Sequence, residues 1–225
     1  MRQLLSDGQS ELADAQYEHW QDTYLAHPDM YGSGPSEPAV YAASVFEAEG
    51  VARVLELAAG HGRDALFFAH RGFTVVATDF SDVAIAQMGR TAQAQGVAAR
   101  VHAMVHDMRN PLPLRSGSID GAFAHMALCM ALSTSEIRTI VDEVGRVLKP
   151  GGKFIYTVRH TGDAHYRTGH CHGDDIFECG GFAVHFFSRE LVESLAADWI
   201  LDDVQAFEEG ELPRRLWRVT ATKRD

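Results

Sequence analysis

The stretch VLELAAGHGRDALFFAHRGFTVVATDFS, residues 54–81, decides the fold of this protein. It begins with an apolar run that leads into a glycine-rich turn, which is typical of a buried strand. A helical pattern follows and stops at Gly72, and a second run, rich in β-branched residues, ends at the acid Asp79. The stretch therefore predicts a β–α–β unit with two parallel strands.

The same alternation continues through most of the chain. Further helices are predicted over residues 11–26, 81–96, 133–152 and 188–199, and further strands over 100–107, 118–126, 153–160, 200–209 and 214–223. Strands that alternate with helices predict an α/β fold, here a doubly wound, Rossmann-like sheet, mostly parallel, with helices on both faces. The short link between the last two strands predicts a C-terminal antiparallel hairpin.

The 225 residues contain no internal repeat, low-complexity tract or linker, so we expect one domain. Its expected parts are an N-terminal helix and loop that is a candidate lid (1–50), a cofactor-binding core (51–160), and a substrate-side insert, helix and hairpin (161–225). Residues 27–40, rich in Pro, Gly and Ser, are predicted to form a loop, and residues 161–187 to form an irregular insert.

The composition argues against several classes of protein. With 46% hydrophobic and 23% charged residues the chain is globular, and its net charge of −11 disfavours a protein that neutralises nucleic-acid phosphates. Three cysteines in a chain of this length predict reduced thiols, and the N-terminal residues lack the apolar run of a signal peptide. No apolar stretch is long enough to span a membrane. We therefore expect a cytoplasmic protein that binds neither nucleic acid nor a membrane, and its oligomeric state, monomer or homodimer, stays open.

The turn after the first strand carries Gly60 and Gly62, which let the backbone turn sharply and let a ligand approach closely. Together with Ala65 they match the dinucleotide pattern G-x-G-x-x-G/A, and Asp79 stands near the offset of a ribose-binding acid. The turn alone is therefore compatible with either NAD or S-adenosylmethionine.

Three features favour S-adenosylmethionine. Glu56, at the end of the first strand, would repel a pyrophosphate but suits a sulfonium and an amino acid. Asp107, at the end of the third strand, can accept a hydrogen bond from an adenine amino group. The chain also ends in a hairpin where a dinucleotide-binding fold has a second mononucleotide-binding half. For each acid, an ordinary strand-end role is the alternative.

These motifs together resemble a known family. Residues 54–81 resemble the opening motifs of the class I S-adenosylmethionine-dependent methyltransferases, and EVGRVLKPGGKFIY (143–156) resembles the late helix–turn–strand segment of that fold. The stretches GHGRDALFFA, GFAVHFFSRE and EEGELPRRLW are similar to the small tellurite-resistance and thiopurine-type methyltransferases. The resemblance to the class covers about residues 51–160, and the narrower one depends mainly on the C-terminal third of the chain.

The resemblance implies roles for the residues at the strand ends. The turn glycines would approach the methionine part of the cofactor, Asp79 would bind both ribose hydroxyls, and Phe80 would pack on adenine. Asp107, with the backbone of the next residue, would read the adenine edge, while Ala58 departs from the family's usual glycine. The predicted cofactor-binding residues are Glu56, Ala58, Gly60, Gly62, Asp79, Phe80, Ser81, Asp107, Met108 and His125.

The acceptor side is predicted to lie after the fourth and fifth strands. Methyl transfer from a sulfonium is a direct displacement, so a base is needed only for an acceptor that carries a proton at neutral pH. His125 is a candidate base or cofactor contact, and its loop lacks the Asn/Asp-Pro-Pro-Tyr pattern typical of DNA and glutamine methylation. Arg159 and His160 are predicted to steer or orient an anionic acceptor.

The hairpin contributes a fourth candidate catalytic residue, Arg214. Its planar guanidinium suits a carboxylate or an oxyanion, and a salt bridge to a neighbouring acid (Glu208, Glu209 or Glu211) is the alternative. Because neighbouring residues of a strand face opposite ways, only one of Arg214 and Arg215 can point at a given pocket.

Three further residues are predicted to bind substrate, namely Tyr31 in the N-terminal loop and Tyr166 and Arg167 in the insert. An aromatic stripe in the first helix would either cover the cofactor or pack on the sheet; it consists of Tyr17, Trp20 and Tyr24. The insert is rich in His and Cys, but the spacing is not that of a zinc site, so no metal is predicted.

We therefore expect a methyltransferase that uses S-adenosylmethionine on a small-molecule acceptor, one that is anionic, sulfur-like or a heavier chalcogen. The alternatives are a non-catalytic S-adenosylmethionine-binding protein, an NAD-dependent oxidoreductase and a protein-methylating enzyme.

Overall fold

The computed structural model describes residues 7–28, 30, 32, 34–210 and 214–225. The helices are α1 (Asp7–Ala26), α2 (Glu37–Ala48), α3 (Arg63–His70), α4 (Asp82–Ala94), α5 (Thr134–Val147) and α6 (Arg189–Leu195). The strands are β1 (Arg53–Leu57), β2 (Thr74–Asp79), β3 (Val101–Val105), β4 (Ile119–His125), β5 (Leu148–Arg159), β6 (His170–Gly173), β7 (Ile176–Cys179), β8 (Phe182–His185), β9 (Trp199–Glu209) and β10 (Arg214–Lys223).

Seven strands form the main sheet, in the order β3-β2-β1-β4-β5-β10-β9. The strands β1 to β5 run parallel, and β10 joins the edge of β5 antiparallel, with Leu216 opposite Arg159. The strand order reverses between β1 and β4, and ligands of such sheets bind at that point, outside the carboxyl ends of the strands. The predicted fold class, including the C-terminal hairpin, is confirmed.

Alternate residues of the central strands face opposite helical layers. Val54 and Phe123 pack with α2, α3 and α4 on one face, whereas Leu55 and Phe154 pack with α5 and α6 on the other. The two buried clusters hold the sheet rigid, so its carboxyl edge is a fixed platform for side chains. Within the described residues, no helix combines the length and the apolar character that crossing a bilayer requires.

Helix α2 corrects the prediction of a loop over 27–40, since the helix begins at Glu37. The Ser36 hydroxyl accepts a hydrogen bond from the Ala39 amide at 3.1 Å and so caps the helix. Pro38 lies in the first turn, where its missing N–H has no helical partner to lose. The serine and proline that suggest a loop are therefore the start signals of a helix, which buries Phe46 against the sheet.

The end of helix α5 and the insert also differ from the prediction. Helix α5 ends at Val147 instead of residue 152, because Pro150 holds the preceding residue extended and Leu148 already pairs with Ile119. The insert is more regular than predicted, since β6, β7 and β8 form a small antiparallel sheet.

Candidate active site

A cavity of about 860 Å³ opens at the carboxyl edge of the main sheet. Its wall includes the ends of β1, β2, β4 and β5, one face of α1, the small sheet and the tip of the β9–β10 hairpin. Small-molecule sites span roughly 300–1,000 Å³, so this cavity has room for a cofactor together with a second small molecule.

The turn after β1 is shaped by residues in the left-handed region. Gly60 has φ +56° and Gly62 has φ +92°, and a Cβ on Gly60 would lie 2.7 Å from the Tyr24 hydroxyl. Ala58 adopts φ +49°, a conformation that costs a non-glycine residue roughly 1–2 kcal/mol. Gly60 and Ala58 line the cavity, whereas Gly62 begins α3 behind it. Alanine at position 58, where the family usually has glycine, therefore still permits the turn but leaves the backbone locally strained.

Asp79 lies at the end of β2 and anchors this turn. Its Oδ2 accepts a hydrogen bond from the Gly60 amide at 2.8 Å, and its Oδ1 accepts one from the Ser81 amide at 2.9 Å. Burial raises the pKa of Asp79 to about 6, and the hydrogen bonds from backbone amides limit the rise. Each oxygen keeps lone-pair capacity toward the cavity. Ser81 itself caps α4 and supports the site from outside the wall.

The surroundings of Glu56 indicate whether this part of the cavity fits a cofactor. Its Oε2 is buried in the cavity wall and has no hydrogen-bond partner among the described residues. Burial, reinforced by the charge of Asp64, raises the pKa of Glu56 well above its usual value. A buried carboxyl oxygen without a protein partner is free to accept a hydrogen bond from a ligand, and an α-ammonium group provides such a donor. The residues at this end of the cavity therefore fit the amino-acid part of S-adenosylmethionine.

The predicted adenine-binding residues also line the cavity. Phe80 presents a ring that meets Tyr17 edge-on, with centroids 5.5 Å apart. The Asp107 carboxylate receives hydrogen bonds from Nε of Arg109 at 3.0 Å to both oxygens, and despite burial these bonds lower its pKa. Asp107 therefore shares its carboxylate between Arg109 and any adenine amino group, with Met108 beside it.

Three of the four predicted catalytic residues line the same cavity. His125 lies with Nδ1 2.8 Å from the Thr157 hydroxyl and Nε2 3.4 Å from a Glu209 oxygen. Arg159 is buried and lines the wall, and Arg214 has Nη1 4.0 Å from Glu209. The structure thus brings residues of β4, β5 and the hairpin to one polar corner.

Three predicted residues of the acceptor side do not line the cavity, namely His160, Tyr166 and Arg167. His160 packs on Trp217 with ring centroids 4.6 Å apart, and burial lowers its pKa. Tyr166 donates a hydrogen bond to Asp175 at 2.8 Å, and Arg167 stacks on the Tyr166 ring. Tyr31 lies outside the described residues.

Arg215 faces away from the cavity, as strand alternation predicts. It donates to Glu208 at 3.1 Å and to the Gly162 carbonyl at 3.0 Å, while its neighbour Arg214 points into the wall. Two of the predicted acidic partners are thus divided between the two arginines, and Glu211 lies outside the described residues.

Other residues of the site were not predicted from the sequence. Glu209 and Thr157 complete the polar corner, and aromatic residues of the small sheet form one wall: Phe177, Phe182 and Phe186. For these aromatic residues, the only signal in the sequence was strand alternation within the insert. From the aromatic stripe in α1, Trp20 and Tyr24 line the cavity and Tyr17 contacts Phe80, so the stripe covers the site and packs at once. Among the residues described, no cluster of three His, Cys, Asp or Glu is arranged to hold a metal ion.

Residues 54–152 match the sequence profile of the methyltransferase domain family. Among curated relatives, sarcosine/dimethylglycine N-methyltransferase of Aphanothece halophytica is 31% identical over 106 residues, which is 47% of this chain and 37% of the relative. Demethylmenaquinone methyltransferase of Clavibacter sepedonicus is 37% identical over 103 residues, 46% of this chain and 39% of the relative. The chain thus matches less than half the length of these relatives.

Solved structures share the fold over nearly the whole chain. The 1,6-didemethyltoxoflavin-N1-methyltransferase of Burkholderia thailandensis, with bound 1,6-didemethyltoxoflavin and S-adenosylhomocysteine, superposes with a TM-score of 0.75 and 20% identity, covering 100% of this chain and 94% of that chain. TehB of Haemophilus influenzae superposes with a TM-score of 0.66 and 15% identity, covering 91% of this chain and 67% of that chain.

The fold is that of the class I S-adenosylmethionine-dependent methyltransferases, and residues 54–152 match the methyltransferase domain family, as the sequence motifs predict. Within the class, the matched segment is a methyltransferase domain, and the family and its structural neighbours support S-adenosylmethionine as the cofactor. TehB fits the narrower resemblance in fold alone, so kinship with the tellurite-resistance and thiopurine-type enzymes stays a prediction.

Proposed function

We propose that this protein transfers a methyl group from S-adenosylmethionine to a small-molecule acceptor. The observation that carries the proposal is that one cavity is lined both by the unpartnered Glu56 oxygen near Asp79 and by the polar corner that contains His125 and Arg214. When bound, the cofactor supplies a methyl group on a sulfonium, a leaving group that needs no activation. The protein's work is then to hold, align and shield the reactants.

The residues that line the cavity have defined roles in this proposal. Glu56 accepts a hydrogen bond from the cofactor's ammonium, Asp79 accepts those of the ribose hydroxyls, and Phe80 covers the adenine. His125, Arg159 and Arg214 face the acceptor, and His160, Tyr166 and Arg167 support that end from outside the wall. The small sheet and α1 restrict the entrance, which supports an acceptor of small size.

The similar proteins support a small acceptor more than a macromolecular one. Their names specify sarcosine and dimethylglycine, demethylmenaquinone, and didemethyltoxoflavin. The tRNA N(3)-cytidine methyltransferase METTL2 of Danio rerio is also similar, with 25% identity over 164 residues. A net charge of −11 disfavours a tRNA substrate, since binding to nucleic acid depends on neutralising phosphates.

We also propose that α1 acts as the lid predicted for residues 1–50. The Gln16 side chain donates to the Gly181 carbonyl at 2.8 Å and accepts from the Ala183 amide at 3.3 Å, which ties α1 to the small sheet across the cavity. We expect Gln16→Ala to increase hydrogen exchange in α1 and to weaken cofactor binding several-fold. Glu18→Ala, on the exposed side of the same helix, is the control, and equal exchange in the two variants would contradict the lid.

Two measurements test the function itself. Calorimetric titration should show binding of S-adenosylhomocysteine and no binding of NAD. Incubation with methyl-labelled S-adenosylmethionine and a panel of thiols, amines, phenols and metalloid oxyanions should transfer label to one class. Binding without transfer to any of them would favour a non-catalytic protein, and binding of NAD alone would overturn the cofactor.

A further inference from the structure

The acceptor end of the cavity has an aromatic wall built by two parts of the chain. Trp20 of α1 meets Phe182 of β8 with ring centroids 5.2 Å apart, and Phe177 meets Phe186 at 6.2 Å. The Phe186 ring lies 5.3 Å from the Arg159 guanidinium, which places this wall beside the end of β5. All four rings line the cavity, and aromatic faces suit a planar ring better than a small hydrated oxyanion.

Both arginines predicted to attract an anion face a carboxylate instead. Arg159 donates through Nε to Asp163 at 2.9 Å, and the Asp163 side chain is fully buried. Arg214 faces Glu209, with 4.0 Å between the charged atoms. An anionic acceptor would therefore meet the Glu209 carboxylate in the same corner.

His125 contacts both Thr157 and Glu209. Thr157 Oγ1 accepts the Met126 amide at 2.9 Å, which leaves the threonine hydrogen free to donate to His125 Nδ1 at 2.8 Å. When the threonine donates in this way, the imidazole proton lies on Nε2, which is 3.4 Å from Oε1 of Glu209. The chain of donors ends at Glu209, whose side chain lies at the cavity wall and is 24% exposed.

Glu209 is a carboxylate at neutral pH. Burial raises its pKa, but the neighbouring His125 side chain and the charges of Arg63 and Arg214 outweigh that effect and lower it. An ionised carboxylate only accepts hydrogen bonds, so it selects a partner that donates one and repels a partner that is negatively charged.

We propose that Glu209 recognises the methyl acceptor and that this acceptor is an uncharged planar ring compound that presents an N–H or O–H group to the Glu209 carboxylate. The proposal rests on the proposed function and names the substrate class of that site. It replaces the anionic or chalcogen acceptor expected from the sequence.

The Glu209 carboxylate also accepts the proton that the acceptor loses on methylation. As the acceptor nitrogen or oxygen forms its bond to the methyl carbon, the carbon–sulfur bond breaks with its electron pair on sulfur, and the proton of the acceptor passes to a Glu209 oxygen. The acceptor's N–H or O–H becomes acidic as the new bond forms, so a carboxylate of lowered pKa is a sufficient base. The exposed part of Glu209 then releases the proton to solvent.

The test uses three ring probes that differ in one substituent at the same position: a naphthol, a naphthoate and a methoxynaphthalene. Each is titrated by calorimetry into the full chain saturated with S-adenosylhomocysteine. We expect the naphthol to bind at least tenfold more tightly than the other two, since a hydrogen bond to a charged group contributes about that factor. Glu209→Gln should weaken naphthol binding about tenfold and leave the affinity for S-adenosylhomocysteine unchanged.

Glu208→Gln is the matched control, because Glu208 carries the same side chain one residue earlier and pairs with Arg215 away from the cavity. Naphthoate binding as tight as naphthol binding, no naphthol binding, or equal effects of the two variants would each overturn the proposal. Failure of the proposed function is distinguished by the first titration, since the parent protein would then not bind S-adenosylhomocysteine.

Discussion

Removal of the Asp79 carboxylate is the sharpest perturbation of the cofactor site. In Asp79→Ala, the hydroxyls of a bound ribose lose their acceptor, and the amides of Gly60 and Ser81 lose theirs. Hydrogen bonds to a charged group contribute about 1.5–3 kcal/mol each, and about 1.4 kcal/mol corresponds to tenfold in affinity. We therefore expect S-adenosylhomocysteine to bind between about tenfold and a few hundredfold more weakly at pH 7.5.

The Asp79→Ala variant should still fold, because the stabilising and destabilising effects of the substitution on the free energy of unfolding nearly balance. The pKa of Asp79 is raised from 3.8 to about 6, so the ionised carboxylate destabilises the free protein above pH 6, and the penalty disappears as the pH falls toward 4. Two units of pKa correspond to about 3 kcal/mol. Alanine removes this penalty while it leaves two backbone amides to be satisfied by water, so the melting temperature should change little.

The pH dependence of the cofactor affinity gives a second, independent quantity to measure. With a pKa of about 6, Asp79 is mostly a carboxylate at pH 7 but only about one tenth ionised at pH 5. The affinity ratio of parent to variant should therefore shrink by up to about tenfold over that interval.

Isothermal calorimetry from pH 5 to pH 8, with circular dichroism to verify the fold, is the assay. Asp142→Ala is the control, since Asp142 lies exposed on α5 and does not line the cavity. A folded Asp79→Ala protein with parental affinity, or a ratio that does not change with pH, would refute the assignment of Asp79 to the ribose.

Two further predictions concern stability. Asp163→Asn leaves the buried Arg159 without its counterion, which should lower the free energy of unfolding in urea by roughly 3–5 kcal/mol. Despite burial, hydrogen bonds lower the pKa of Asp163 to about 2, so its stabilisation is complete above pH 4 and is lost as the pH falls toward 2; equal acid unfolding of the two proteins would contradict this. Gly62→Ala places a Cβ 2.3 Å from Met88 Cγ at φ +92°, whereas Gly96→Ala at φ +73° meets open space. Thermal unfolding should show an excess loss of roughly 1–3 kcal/mol for Gly62→Ala, and equal losses would mean that the contact relaxes freely.

The sequence by itself determined the fold class and the cofactor end of the site. Strand and helix periods are local properties, and parallel strands bring their carboxyl ends to one edge whatever the details of packing. Gly60 and Asp79 follow two such strands, so their proximity could be predicted from order alone. Helix α2 was not predicted, because the Ser and Pro at its start are signals shared by loops and helix termini.

The acceptor end was decided by the tertiary structure. Glu209 at the end of β9 contacts His125 at the end of β4 although β5 and β10 lie between these strands in the sheet, and local pattern did not distinguish Glu209 from Glu208, which faces solvent. Arg159 could be predicted to lie at the sheet edge, but its pairing with Asp163 depends on how the following turn packs beneath β10. Contacts between side chains of different elements depend on register, twist and packing, and these are settled only when the whole chain is folded.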